Sequence, residues 1–260
     1  MIALITPTGN RPDQFALCQK YMKRQTYAGA VAWIIIDDCV PETTTQVTTA
    51  FRENWNIIKI NPKPTWKPGD NTQGRNMTDG INAVVRNFAR HEIEAIFFIE
   101  DDDYYHANFL ERMMELWYSE PRCEIISETK TIYYNPVTRH YAVNQNITYG
   151  SLFQTAINYD MIPKLRAVIN VKFIDGALWK LAKKKKLFYE NDLAIGIKGL
   201  PGRNGIGAGH STNYYGMAPD INMHFLKSKI GDDAKEYERY YRVDNLSQYQ
   251  RVNRKRGKLL

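Results

Sequence analysis

Ala95-Ile96-Phe97-Phe98-Ile99 runs without a break into Glu100-Asp101-Asp102-Asp103, and this junction decides how the chain is read. A short run of β-branched and aromatic residues describes a strand buried on both faces. The acids that follow it repel one another, which is costly at the end of a buried strand unless something positive neutralises them. A divalent cation is the natural counter-ion, and hard carboxylate oxygens suit magnesium or manganese. The competing reading is an acidic turn ahead of a helix expected over residues 107–119, whose N-terminus favours carboxylates.

The same pattern recurs upstream. Residues 2–6 read as a buried strand, and the turn Thr8-Gly9-Asn10-Arg11-Pro12 leads into a helix ending near Arg24. Residues 33–36 form a second apolar run that stops at Asp37 and Asp38, and residues 57–60 a third, with helical stretches expected over 43–54 and 74–90. Strands alternating with helices imply βαβ crossovers and a mainly parallel sheet, so the fold class is α/β, one Rossmann-like domain with a C-terminal elaboration. In such sheets ligands bind beyond the carboxyl ends of the strands, where both acidic clusters lie.

The second half is less regular. Residues 124–134 and 138–142 suggest a hairpin turning at Asn135-Pro136, a further strand lies near 147–152, and helices are expected over 160–168 and 176–184. Residues 199–219 hold six glycines and read as a long functional loop. The expected division is a domain over 1–225, with a ligand-binding half over 1–111 and a second half over 112–225, followed by a basic, tyrosine-rich extension over 226–260.

A chain of 260 residues, 43% hydrophobic, suits one well-buried core. No segment reads as a leader or a membrane span. Cys18, Cys39 and Cys123 are scattered and fit no zinc spacing, so a reduced, cytoplasmic setting is expected. The net charge of +7 and pI near 9.1 point to a polyanionic partner. Part of the excess is local, in Lys183, Lys184, Lys185 and Lys186, and in Arg251, Arg254, Lys255, Arg256 and Lys258.

Ile99-Glu100-Asp101-Asp102-Asp103 with Phe109-Leu110-Glu111 resembles the DxDD segment of the large inverting GT-A glycosyltransferase family, which includes cellulose-synthase-like and rhamnosyl-type enzymes. Glu100 stands for the usual first Asp. Ile2-Ala3-Leu4-Ile5-Thr6-Pro7-Thr8 resembles that family's first strand and donor loop, Trp33-Ile34-Ile35-Ile36-Asp37-Asp38 its second strand and nucleobase-reading acids, and Gly74-Arg75-Asn76 with Gly80-Ile81-Asn82 its Arg-Asn loop and helix. The resemblance implies a UDP-sugar or related donor held by Thr6, Pro7, Thr8, Arg11, Asp37, Asp38, Arg75, Asn76 and Asp101. It implies manganese or magnesium held by Glu100, Asp102 and Asp103, with His210 from the glycine-rich loop as a further ligand.

Asp175-Gly176-Ala177-Leu178-Trp179 is similar to the family's Glu-Asp-x-x-Leu-Trp segment, with Ile174 in place of the Glu. That likeness makes Asp175 the candidate base for the acceptor hydroxyl; a plain helix cap is the competing role. For the acceptor, the basic blocks with Tyr237, Tyr240, Tyr241 and Tyr249 put a hydroxymethylated base in DNA first, since some bacteriophage enzymes glycosylate such bases, and the setting would then be the host cytoplasm. A cell-surface glycan or lipid-linked saccharide is the alternative. A nucleotidyltransferase would carry a more glycine-rich first loop, and a non-catalytic nucleic-acid-binding protein would have little use for acids beyond a buried strand.

Overall fold

A computed structural model describes residues 1–40, 46–47, 51–189, 192–203 and 217–241. The chain forms two compact units, one of Met1–Thr131 with Asn144–Gly196, the other of Ile132–Val143 with the chain from Ile197 on. The first unit is built on a sheet of seven strands. In chain order these are β1 (Ile2–Thr8), β2 (Val31–Asp37), β3 (Trp55–Ile60), β4 (Ala95–Phe98), β6 (Ile125–Glu128), β9 (Thr155–Ile157) and β10 (Lys185–Phe188). Their spatial order is β10-β6-β9-β4-β1-β2-β3. Every pairing is parallel except those of β9, which runs antiparallel to both β4 and β6. The mostly parallel α/β sheet agrees with the sequence reading.

Alternation of side chains across the strands sorts the core. Ala3, Ile5, Ile34, Ile36, Ile96 and Phe98 pack against Met77, Ile81 and Val84 of α2 (Gln73–Asn87). Phe15 of α1 (Pro12–Lys23) stacks on Trp33, their ring centroids 5.9 Å apart. Gly80 sets how closely α2 lies on the sheet. A Cβ placed there would sit 2.5 Å from Ile5 Cγ2 and 2.9 Å from Ile36 Cδ1. The helices α3 (Phe109–Ser119), α4 (Ile162–Val168) and α5 (Ile174–Leu181) complete this unit, with a short antiparallel pairing of β5 (Tyr104–Tyr105) and β11 (Ala194–Ile197).

Several second-half expectations are corrected. The strand expected over 124–134 is two, β6 and β7 (Lys130–Asn135). The break falls at Thr129, whose N–H donates to Phe188 O at 2.8 Å and whose carbonyl accepts from Asn146 N at 2.8 Å. Residues 147–152 are not a strand, and Ile147 is 83% exposed. The strand of that region is β9, too short at three residues to show a period. The helix expected over 176–184 ends at Leu181, so Lys183 to Lys186 lie beyond it, and Lys185 opens the edge strand β10, where charged side chains discourage pairing with another chain. Lys185 Nζ donates to Trp179 O at 3.2 Å and Lys186 pairs with Glu120 at 2.8 Å. Half of the helix expected over 43–54 lies outside the described residues, and the other half, 46–47 and 51–54, is not helical.

In the second unit, β8 (His140–Gln145) pairs with β7 and with β12 (Ala218–Pro219). Asp220 accepts from Phe225 N and Leu226 N at 2.9 and 3.0 Å, fixing the start of α6 (His224–Ile230). Phe225 stacks on Tyr141 with 3.6 Å between centroids. Tyr237, in α7 (Lys235–Glu238), and Tyr240 are buried here. They pack the fold and do not stand out to stack on bases. Tyr249 and the basic residues from Arg251 to Lys258 lie outside the described residues. Among the described residues no helix is long and apolar enough to cross a membrane, and the three cysteines are free thiols.

Replacing Gly80 by valine is expected to lower stability by about 1–3 kcal/mol through overpacking between α2 and the sheet. Chemical denaturation reads this as a lower midpoint at unchanged slope.

Candidate active site

Register brings the polar residues together. Thr8 pairs with Asp37 across β1 and β2, and Ile5 with Phe98 across β1 and β4, so the carboxyl ends of all three strands open on one edge. The chain carries the pattern past the strands: Asp38 N donates to Thr8 O at 3.2 Å and Ile99 N to Ile5 O at 3.0 Å. Thr8, Asp37, Asp38 and Glu100 to Asp103 therefore share that edge.

Asp101 has no solvent exposure. Thr8 Oγ1 donates to its Oδ2 at 2.6 Å, and Arg11 grips the carboxylate through Nε, at 3.2 Å, and Nη2. The same guanidinium reaches Asp102 Oδ2 through Nη1 at 3.0 Å. Arg11 thus supplies the internal positive charge that the acidic run requires, in the forked geometry arginine favours. Glu100, Asp102 and Asp103 can each offer an oxygen such that all three lie within 4.8 Å of one another. This donor set is purely hard oxygen and fits magnesium or manganese. His210 lies outside the described residues.

Asp38, also without exposure, gathers Thr72 Oγ1, Asn76 Nδ2 at 2.7 Å and Arg75 Nη2 at 3.2 Å on its Oδ2. Gly9 packs so closely beside it, with φ of 151°, that a Cβ there would lie 2.1 Å from Asp38 Oδ1. Asp37 pairs with Lys59 at 3.2 Å and accepts from Cys39 N at 3.3 Å. In this conformation Asp37 ties the end of β2 to β3, and Asp38 ties it to the start of α2, beside the positive end of that helix dipole. Thr6 is buried as well, its hydroxyl accepting from Trp33 Nε1 at 2.9 Å, and Pro7 is half-buried. Sequence alone does not single out Thr72, Lys59 or Tyr105. Thr72 reads as an ordinary helix cap, yet its hydroxyl goes to Asp38, and the Tyr105 hydroxyl accepts from Glu100 N at 2.9 Å.

Asp175 stands in the first turn of α5, half-buried, its Oδ1 accepting from Gly176 N at 2.8 Å. Burial pushes its carboxyl above the ordinary 3.8, with backbone N–H groups opposing the rise. The loop leading into α5 is pinned to the start of α2, since a Cβ on Gly74 would lie 2.7 Å from both Ile169 O and Asn170 Oδ1. The Arg75–Asn76 brace and the approach to Asp175 are thus parts of one packed structure.

A mostly parallel sheet with these acids at its strand ends is a Rossmann-like α/β fold. The chain belongs to glycosyl transferase family 2, which it matches over residues 3–173. The matched span ends just before Asp175. No curated protein sequence matches the chain. Among solved structures, S. aureus TarS 1-349 in complex with UDP-GlcNAc is similar with a TM-score of 0.59 at 14% identity, over 80% of this chain and 61% of that one. S. aureus TarS 1-349 in complex with UDP gives 0.54 at 12% identity, over 75% and 60%. The chain spans about three-fifths of the length of these structures, and at such identities the likeness is one of fold.

Burial of Asp175 favours its neutral form in the folded state. Its contribution to stability is therefore fully present below pH 3.8, the ordinary value, and is lost as pH rises through the elevated folded value. Asp175→Asn, which keeps an oxygen for Gly176 N, is expected to melt higher than the wild type at pH 8, with the gap closing toward pH 4. Melting curves across that range check it.

Proposed function

We propose that this chain transfers a sugar from a nucleotide-sugar donor, a UDP-sugar first, to an acceptor hydroxyl with inversion at the anomeric carbon. The observation that carries the reading is the shared strand-end edge of a family 2 chain, where Thr8, Arg11 and the run from Glu100 to Asp103 meet. Arg11 and Arg75 present guanidinium charge to the donor diphosphate. Asp37 and Asp38 are assigned to the nucleobase; because Lys59 and Thr72 already hold them, donor binding rearranges those two contacts. Glu100, Asp102 and Asp103, with His210, would hold a divalent cation, which when bound stabilises charge on the departing diphosphate. Asp175 takes the proton of the acceptor hydroxyl as that oxygen attacks, and burial, which raises its proton affinity above that of an ordinary aspartate, favours the role.

For the acceptor we take a saccharide hydroxyl, of a cell-surface glycan or a lipid-linked sugar, as the leading reading. A hydroxymethylated base in DNA is the second, supported by the net charge of +7. The burial of Tyr237 and Tyr240 removes two of the stacking residues on which the DNA reading drew. Duplex binding as a function of salt separates the two, since phosphate contacts give a steep fall in affinity as salt rises. Negligible duplex binding at low salt together with transfer to a simple saccharide fixes the glycan reading.

Two outcomes test the catalytic assignment. UDP with manganese is expected to raise the melting temperature of the wild type. Asp102→Asn, in which the amide keeps an oxygen for Arg11, is expected to retain the fold, lose that rise and lose turnover; unchanged turnover in EDTA would overturn the metal assignment. Asp175→Asn is expected to lower kcat by about two to four orders of magnitude while donor affinity survives. In the wild type the acid limb of kcat against pH is expected above the ordinary aspartate value of 3.8.

A further inference from the structure

The first turn of α5 contains a glycine that neither packing nor backbone geometry accounts for. A Cβ built on Gly80, Gly74 or Gly150 would collide with Ile5, Ile169 or Ser127, whereas at Gly176 it would meet nothing within 4 Å. Gly176 has no positive φ either. Alanine would make a more stable helix at this position. What glycine preserves here is open space at the residue whose N–H donates to the half-buried Asp175 carboxylate at 2.8 Å.

Phe173, immediately before α5, is 59% exposed. A phenyl ring contributes most to stability when it is buried, so an exposed one two residues ahead of Asp175, at the start of the same helix, is the second half of the feature. Lys172 Nζ lies 5.4 Å from its centroid, over one face of the ring. The contact of Gly74 with Ile169 and Asn170 fixes the loop that carries Phe173 relative to α2, so the ring is not on a detached segment.

We propose that Phe173 and Gly176 are the acceptor-contact residues of this chain: a pyranose ring lays a C–H face on the open face of Phe173 and fits into the space over Gly176, presenting one hydroxyl to Asp175. The electron-rich ring face attracts the polarised C–H groups of a sugar. A single exposed wall suits a pyranose better than a flipped nucleobase, which is enclosed and stacked between side chains in a snug pocket. Glycine then gives up helix stability for access, and substitution moves stability and acceptor use in opposite directions. The proposal rests on Asp175 being the base.

The experiment uses the full chain with UDP-sugar donors and a panel of methyl and p-nitrophenyl pyranosides. Acceptor contact is read by saturation-transfer NMR in the presence of UDP, and transfer by steady-state kinetics. Gly176→Ala is expected to melt higher than the wild type, to bind UDP and manganese equally well by calorimetry, and to raise acceptor KM. Phe173→Ala is expected to raise acceptor KM about tenfold, as loss of one aromatic contact does, with Phe173→Trp restoring most of it. Acceptor KM unchanged in both variants, while Asp175→Asn still abolishes chemistry, overturns the platform and leaves the base in place. Normal kcat in Asp175→Asn overturns the base reading itself. A wild type that contacts no pyranoside, or a Phe173→Ala defect seen only with a hydroxymethylcytosine oligonucleotide, overturns the saccharide as occupant.

Discussion

A carboxylate with no access to water, that of Asp101, must be neutralised where it lies, and Arg11 with Thr8 does so. Removing one partner of such a buried pair leaves an uncompensated charge, which typically costs several kcal/mol. The pair also ties distant parts of the chain together. Thr8 ends β1, Arg11 is the residue from which α1 departs with Pro12 at its first position, and Asp101 follows β4. Cys18 of α1 is buried near the acids as well, and burial first, then the charges of Asp102 and Asp103, push its thiol far above its ordinary range. That thiol is consequently inert.

A second brace, around Asp38, works by close approach. Gly9 lets the β1 turn press against the carboxylate, while Thr72, Arg75 and Asn76 reach it from α2. Because Gly74 in turn abuts residues 169–170, the proposed donor side and the proposed base are set by contiguous packing within one unit. In the proposed reaction this matters more than any single contact, since attack in line requires hydroxyl, anomeric carbon and leaving group to be aligned within a fraction of an ångström.

The first half of the fold was legible because its strands are apolar runs, two of them leading straight into acids, a signal that survives without any tertiary information. β1, β2 and β4, and the clustering of their carboxyl ends, follow from that alone. The second half resisted for physical reasons. β9 is three residues long, below any period, and the apolar residues near Ile147 belong to an exposed loop. The lysines of β10 describe a solvated surface equally well as a helix end or as a sheet edge, and only pairing with β6 decides between them. At the site, the carboxylates could be picked out but their partners could not. Thr72 and Lys59 are ordinary residues until the fold carries them 34 and 22 positions across the sequence to Asp38 and Asp37.

The position of β9 bears on how the chain is made. It lies between β4 and β6, although β6 precedes it in sequence. A ribosome that has released β1 to β6 therefore holds a four-stranded half-sheet and an isolated strand that cannot join it. Until Thr155–Ile157 emerges, β4 presents an open apolar edge of Ile96, Phe97 and Phe98 to its surroundings. Such an edge is a template for pairing with other chains. The vulnerable interval in biogenesis is thus the synthesis of residues 99–157, and proteins truncated within it would be the ones most in need of a chaperone.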